Sequence, residues 1–586
     1  MKNIIKFDFT PVYISIVTFI VLYLLMPKWI YSPIALTDTD PWLQIGYFLD
    51  YKLMSHVYYN EHFKDIISTN LLGILFYKTY TPFLANLLLK FFRFLIFGYF
   101  IYSTTKFEIN KKTAILTLCV SLTSYTVLIA FGGDYTDGWI VFYLTATIYS
   151  LFKAYRISNV KILWLILSGI FCCLMIGAGF QSLIYTISLF LMLILLEYKR
   201  NLKFKLLSMH YLYPIIGCLI CFCILNLVNY LYIGDFWYCK NSITRAISFV
   251  GEHRWHGSMN ILSKNNILFA ICILFIATFT YLKNVFKFER FTNFDFIILI
   301  TTWINIIIMF FLEIFFKQEL ISNINYFNHI IPFIILLYAT YVIKYLSELN
   351  KKLNYIFMLA IVFYFCIIWY MPGPFFIPEF FPSKLTSIGR NIFMSYPVIY
   401  DIYIYIGILL IFACYFLFSN FKKYFKFILF LMLIILFNFT PFVYTLKNES
   451  SVQFKHISGK DFFESVVDWF HYSNKINKKR KKVFWYNEKK DTYIKTCLGV
   501  SNSKKGVFDI SMPYLNISTN AFKDKMKYLN QPGFIITILC SDKNDAILAK
   551  QILEKNNKKV SIINEKEFLG KCFKIFIIEY KINNNK

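Results

Sequence analysis

A chain of 586 residues that is 58% hydrophobic and only 16% charged is too poor in charge to clothe a soluble fold, which carries roughly 25% charged residues. Its apolar residues fall in long runs of about 18 or more, the length that crosses a bilayer's ~30 Å hydrocarbon layer at ~1.5 Å per residue. The net charge of +28 does not point to nucleic acid, because Lys and Arg concentrate in short connections between those runs, where cytoplasmic loops of membrane proteins hold them; membrane lipid is the expected partner.

The hydrophobic runs predict about thirteen spans, at 10–27, 83–103, 113–131, 138–152, 162–179, 181–197, 207–232, 266–282, 293–316, 328–347, 354–371, 399–418 and 425–445. The first run, Pro11 to Met26, has no small-residue cleavage site and reads as a retained span. Every second connection, starting after the second span, is basic: Lys106, Lys111 and Lys112; Lys153, Arg156 and Lys161; Lys199 to Lys205; Lys283 to Arg290; Lys344 to Lys352; Lys422 to Lys426. These share a side with the N-terminus, which is therefore expected to be cytoplasmic. The less basic segments 28–82, 132–137, a turn near 180, 233–265, 317–327 and 372–398 then face outward, and an odd number of spans puts the tail 446–586 with them.

In the first outer segment, Asp40-Pro41 is a helix start: a carboxylate can cap free N–H groups and proline suits the first helical turn. The stretch Trp42 to Tyr58 is amphipathic and is expected to lie along the membrane surface, with Phe63–Tyr80 returning to the bilayer. Asp38 and Asp40 follow a span closely. A second acidic pair, Asp134 and Asp137, sits in Gly132-Gly133-Asp134-Tyr135-Thr136-Asp137-Gly138, where glycines permit a tight turn and set both carboxylates at the lipid–water boundary. Paired acids there suit general-base work or a divalent cation, Mg or Mn, carrying a phosphate leaving group; the plainer reading of Asp40 is a helix cap alone.

Lys90 and Arg93, in the outer half of the second span, are expected to snorkel outward rather than meet an anion. Cys218 and Cys221 form a CxxC inside a span and read as packing. In the fourth outer segment Arg254 offers a phosphate contact, while His253 and His256 lack a third zinc ligand. Glu319, just past the ninth span, is a metal ligand or a bystander. The tail opens with an apolar-periodic stretch (Phe462, Phe463, Val466, Val467, Trp469, Phe470), then alternates β-rich runs at 483–486, 534–539, 560–563 and 572–580 with a helical stretch at 545–554, predicting a small α/β domain.

These motifs resemble the GT-C superfamily of polytopic membrane glycosyltransferases. Asp40-Pro41-Trp42 is similar to the first-loop acid motif of oligosaccharyltransferase catalytic subunits, and Gly133-Asp134-Tyr135-Thr136-Asp137 to their second acidic motif. The arabinofuranosyltransferase-like branch is nearer: Asp40, Tyr59-Asn60 and Thr69-Asn70 follow its first-loop order, Gly132-Gly133 its Gly-Gly acid turn, and Tyr232 to Lys240 its Tyr-Gly…Tyr-x-Lys segment. Asn325 to Pro332 resembles the Arg-Tyr…Pro opening of a late span. Gly46 stands where that branch often has arginine, and the Trp-Trp-Asp motif of oligosaccharyltransferases is missing from the tail.

The hydrophobic runs and the change of character after 445 divide the chain into a transmembrane domain over 1–445 and an extracytoplasmic α/β domain over 446–586. The resemblance covers about the first 340 residues, makes the first domain GT-C-like and implies residence in a bacterial inner membrane. It implies transfer of a sugar from a polyprenyl-phosphate donor to a cell-envelope glycan or glycolipid. Asp40 would be the base, with Asp38 as fallback. Asp134 and Asp137 would position acceptor or cation; Lys240, Arg245 and Arg254 would bind donor phosphate; Asp40, Asp134 and Glu319 would be the metal ligands. The alternatives are a transporter or flippase of envelope intermediates, disfavoured by sparse midspan charge, and a scaffold whose tail does the binding.

Overall fold

The computed structural model describes residues 8–25, 40–57, 62–132, 135–156, 160–201, 209–248, 270–271, 273–282, 293–316, 320, 328–347, 460–477, 482–486, 535–540, 542–556 and 560–583. Apart from the tail these are helical. Five helices among them are long and apolar enough to cross a membrane: Pro82–Glu108, Lys161–Ala178, Phe180–Tyr198, Leu212–Ile233 and Phe294–Phe316. The expected spans at 354–371, 399–418 and 425–445 lie outside the described residues.

Helix α1 (Thr10–Leu25) is followed by two short helices, α2 (Asp40–Leu49) and α3 (Tyr51–Val57), a 3-10 turn at His62–Asp65, and α4 (Ile67–Thr79). Helix α5 (Pro82–Glu108) starts with proline in its first turn, where the missing N–H costs nothing, and runs 27 residues. The expected span 113–131 is two helices, α6 (Lys111–Leu122) and α7 (Tyr125–Gly132). At the break Ser121 donates to the Thr117 carbonyl at 2.6 Å and Thr123 to the Cys119 carbonyl at 2.9 Å, back-bonding of the kind that loosens or bends a helix.

Helix α8 (Tyr135–Arg156) is the central rod, buried all round from Asp137 to Phe152. Its polar Thr145 and Thr147 spend their hydroxyls on carbonyls four residues back, at 2.7 and 2.9 Å, so an enclosed helix carries them without orphaned donors. Helices α9 (Lys161–Ala178), α10 (Ile184–Asn201) and α11 (Leu212–Ile233) surround it, followed by α12 (Lys240–Ser248), α13 (Ile273–Leu282), α14 (Asn293–Phe316) and α15 (Ile331–Ser347).

Helices α9 and α11 touch backbone to backbone. A Cβ on Gly169 would stand 1.9 Å from the Pro214 carbonyl oxygen, and one on Gly217 2.1 Å from that of Ile166. The close crossing buries Cys173 and Cys221 together with Ile67, Leu225 and Tyr238, and the cysteines there are free thiols.

One end of the bundle gathers the basic connections. Asp8 takes Lys106 at 2.5 Å and Lys111 at 3.8 Å, Glu108 takes Arg156 at 2.9 Å, and buried Glu197 takes Lys161 at 3.1 Å and His210 at 3.0 Å. Lys112 donates to the Ser347 carbonyl. The tail packs at the far end. Its helix α16 (Lys460–Asn477) buries the six apolar residues singled out by periodicity and meets Trp42 through Phe462 and Phe463, with ring centroids 6.0 and 5.7 Å away. Phe83, at the start of α5, completes the contact. Beyond it strands β1 (Lys482–Tyr486), β2 (Ile535–Cys540), β3 (Val560–Leu569) and β4 (Lys574–Ile582) form a sheet in the order β1-β2-β4-β3, parallel only between β1 and β2. Helix α17 (Lys543–Asn556) lies against it.

Candidate functional site

The far end holds every candidate group whose position is described. Helix α2 begins at Asp40, as the Asp-Pro pair predicts. It does not lie along a surface, however. Residues Trp42 to Phe48 are all buried, Gln44 included, because α16 covers Trp42 while α4 receives Phe48 against Gly73, where a Cβ would be 2.2 Å from the ring. The amphipathic stretch also breaks at Asp50, whose carboxylate accepts the Leu53 N–H at 3.0 Å and restarts the chain as α3.

The turn between α3 and α4 supplies two groups that no motif flagged. Lys64, buried, reaches Asp235 at 3.5 Å. Asp65 is 3% exposed and accepts the Ser242 N–H at 2.6 Å. Tyr51 closes the turn by donating to the Lys64 carbonyl at 2.7 Å. From α11, Asn229 donates to the Asp235 carbonyl at 2.7 Å and Asn226 accepts the Tyr238 N–H at 3.3 Å. Gly234 ends α11 in the left-handed region, φ 81°, as helix C-termini favour. The turn between α3 and α4 and the 233–248 segment are thus tied by ion pair and hydrogen bonds. Burial pushes the Asp65 carboxyl up to about 7, against the opposing pull of the Ser242 N–H and Lys64. Lys240, at the start of α12, is exposed.

A second polar group lies among α5, α7, α8 and the 3-10 turn Asn328–Ile330 that leads into α15. Lys90 and Arg93 do not snorkel: they are 2% and 0% exposed. Lys90 donates to the Gly132 carbonyl at 3.1 Å and Arg93 to the Phe131 carbonyl at 3.2 Å. These are last-turn carbonyls of α7, orphaned at a helix C-terminus and attractive to cations. The Arg93 guanidinium also lies 5.2 Å from the Trp139 ring centroid, and Gly138 leaves room for it, since a Cβ there would be 2.6 Å from Nη1. Asp137 is likewise buried, 4% exposed, not set at a boundary. It binds His329 at 2.5 Å, bringing the acidic turn against the Asn325–Pro332 motif.

Of the remaining candidates, Asp38, Asp134, Arg254 and Glu319 lie outside the described residues, and the side chains of Asp40 and Arg245 do too. Thr69 and Asn70 are buried on α4, while Tyr59 and Asn60 fall outside. Among the described residues no group of three or more His, Cys, Asp or Glu is placed to hold a metal ion. The expected ligands Asp40, Asp134 and Glu319 are not among the described side chains.

No family model matches the chain, and no curated protein matches it. Among solved structures it is similar to ArnT from Cupriavidus metallidurans in the apo state, at 13% identity over 96% of this chain and 97% of that one, TM-score 0.46. It is similar to the same protein bound to undecaprenyl phosphate, at 11% identity over 97% of each chain, TM-score 0.42. A third likeness is to the Archaeoglobus fulgidus oligosaccharyltransferase in the apo form, at 11% identity over 96% of this chain and 70% of that one, TM-score 0.47. Likenesses of this size assign no role to any residue.

Proposed function

We propose that the protein is a membrane glycosyltransferase of GT-C type that moves a sugar from a polyprenyl-phosphate donor to a cell-envelope glycan or glycolipid. The observation that carries this reading is the joining of the first outer segment to the 233–248 segment through Lys64–Asp235 and Asp65–Ser242. It ties the turn between α3 and α4 to the segment that leads into the helix starting at Lys240, at the end of the bundle where α2 also lies. The chemistry asked of them is simple. The acceptor hydroxyl oxygen bonds to the anomeric carbon, the bond from that carbon to the phosphate oxygen breaks, Asp40 takes the hydroxyl proton, and the electron pair leaves on the phosphate. A cation near that phosphate stabilises the developing charge; Lys240 is our choice, with Arg245 and Arg254 in the same segment. A divalent cation held by Asp40, Asp134 and Glu319 would do the same. We place the assembly on the outer face of a bacterial inner membrane, with the N-terminus cytoplasmic. Against a transporter, the two buried cations Lys90 and Arg93 are engaged by α7 carbonyls.

Asp40→Asn tests the mechanism. Transfer from a labelled polyprenyl-phosphate sugar in isolated membranes should fall at least a hundredfold, within the range of general-base contributions, with the thermal midpoint unchanged. Wild-type transfer rates in that variant would overturn it.

A further inference from the structure

Helix α12 is nine residues long and begins directly after Cys239. Cysteine is a poor occupant of the capping position, where Ser, Thr, Asp or Asn normally accept the free N–H groups of the first turn. Those N–H groups are met from elsewhere. Asp65, more than 170 residues earlier by chain, puts Oδ2 2.6 Å from the Ser242 nitrogen, and the nearby Asn241 N–H and Ser242 hydroxyl favour its charged form. Lys64 beside it ties down Asp235 at 3.5 Å, in the turn that leads into α12, so two consecutive residues of one loop grip the same short segment at two points.

We infer that Asp65 is a positioning residue: it caps α12 from the first outer segment and so sets where Lys240 stands relative to the helix that starts at Asp40. The role of Lys240 rests on the glycosyltransferase reading; the clamp does not. The charged and titratable groups facing Asp65 are Lys64 on its own turn, Tyr51 from α3, Cys239 at the head of α12, and Asp235 through Lys64. Oδ1 is buried with no hydrogen-bond partner among the described residues, which penalises the charged carboxylate. The closed clamp therefore binds a proton more tightly than an opened, hydrated Asp65 does. Closure is strongest in acid, weakens as pH rises towards 7, and is level above that.

Hydrogen exchange on the full-length protein in lipid nanodiscs, followed over residues 238–248 and corrected for the intrinsic rate at each pH, tests this. Wild type should lose at least about tenfold of its protection between pH 5 and pH 8. Asp65→Asn keeps an acceptor but does not titrate, so its protection should be flat. Asp65→Ala should be at least about tenfold less protected than Asp65→Asn throughout. Equal protection in D65A and D65N, or the same pH profile in D65N and wild type, would overturn the clamp. In a transfer assay D65A should raise the donor KM more than it lowers kcat, with D65N closer to wild type. If the exchange pattern holds while wild type transfers no sugar, the reaction is wrong and the clamp stands.

Discussion

Asp65 and Asp137 are both buried acids at the far end, and the protein accommodates them differently. Asp65 is held by N–H groups of a helix start, Asp137 by one imidazole at 2.5 Å. Removing one member of a buried pair leaves the other without its partner at a cost of roughly 3–5 kcal/mol, whereas removing both costs less. His329→Ala should therefore lower the thermal midpoint in detergent markedly, and Asp137→Asn in the same chain should recover part of the loss. Additive losses in the double variant would show that the pair is not coupled. How far the sequence foretold these residues depends on where their partners lie. Asp137 was singled out because its turn is local, but its histidine is 192 residues away in the chain. Lys90 and Arg93 share a face by spacing alone. That the face meets the end of α7 is settled by packing, so an outward reach was the wrong expectation.

Elements were legible where their signals are short-range. Asp40-Pro41 marks the start of α2, and the apolar period of α16 names the residues it buries. What encloses α2 was not legible, because its cover comes from the other end of the chain. The α9–α11 crossing gave no signal either: nothing in an isolated run distinguishes a glycine that admits a neighbouring backbone from one that does not. Gly217→Ala should cost about 3 kcal/mol or more, the upper end for overpacking, since the new methyl would meet the Ile166 backbone carbonyl at 2.1 Å. Gly234→Ala has open space around it and should cost only the left-handed strain, about 1–2 kcal/mol. Chemical denaturation monitored by Trp fluorescence would rank them, and the reverse order would refute the account of the crossing.

For the whole molecule, the alternation of basic and less basic connections was the most informative feature of the sequence. The structure sets the N-terminal Asp8, the 106–112 connection, Arg156, Lys161 and Ser347 at one end, and the tail with α2 at the other. The tail's strands were visible as β-rich runs, but their order was not, because β1 and β2 are distant in sequence and pair in parallel. Sidedness has a direct check. In a chain with exposed native thiols replaced, cysteine introduced by Lys571→Cys or Lys240→Cys should react with a membrane-impermeant maleimide on intact cells, and that introduced by Lys111→Cys only after permeabilisation. Labelling of all three alike would refute the topology.

The contact between Trp42 and Phe462 has a bearing on biosynthesis. Trp42 emerges from the ribosome about four hundred residues ahead of the helix that covers it, and at roughly 5–20 residues per second that is a wait of some twenty seconds to over a minute. During that interval the indole lacks the two α16 rings that pack on it in the finished fold. The contact of α2 with α16 is therefore among the last to form, and a chain cut short before residue 460 cannot make it.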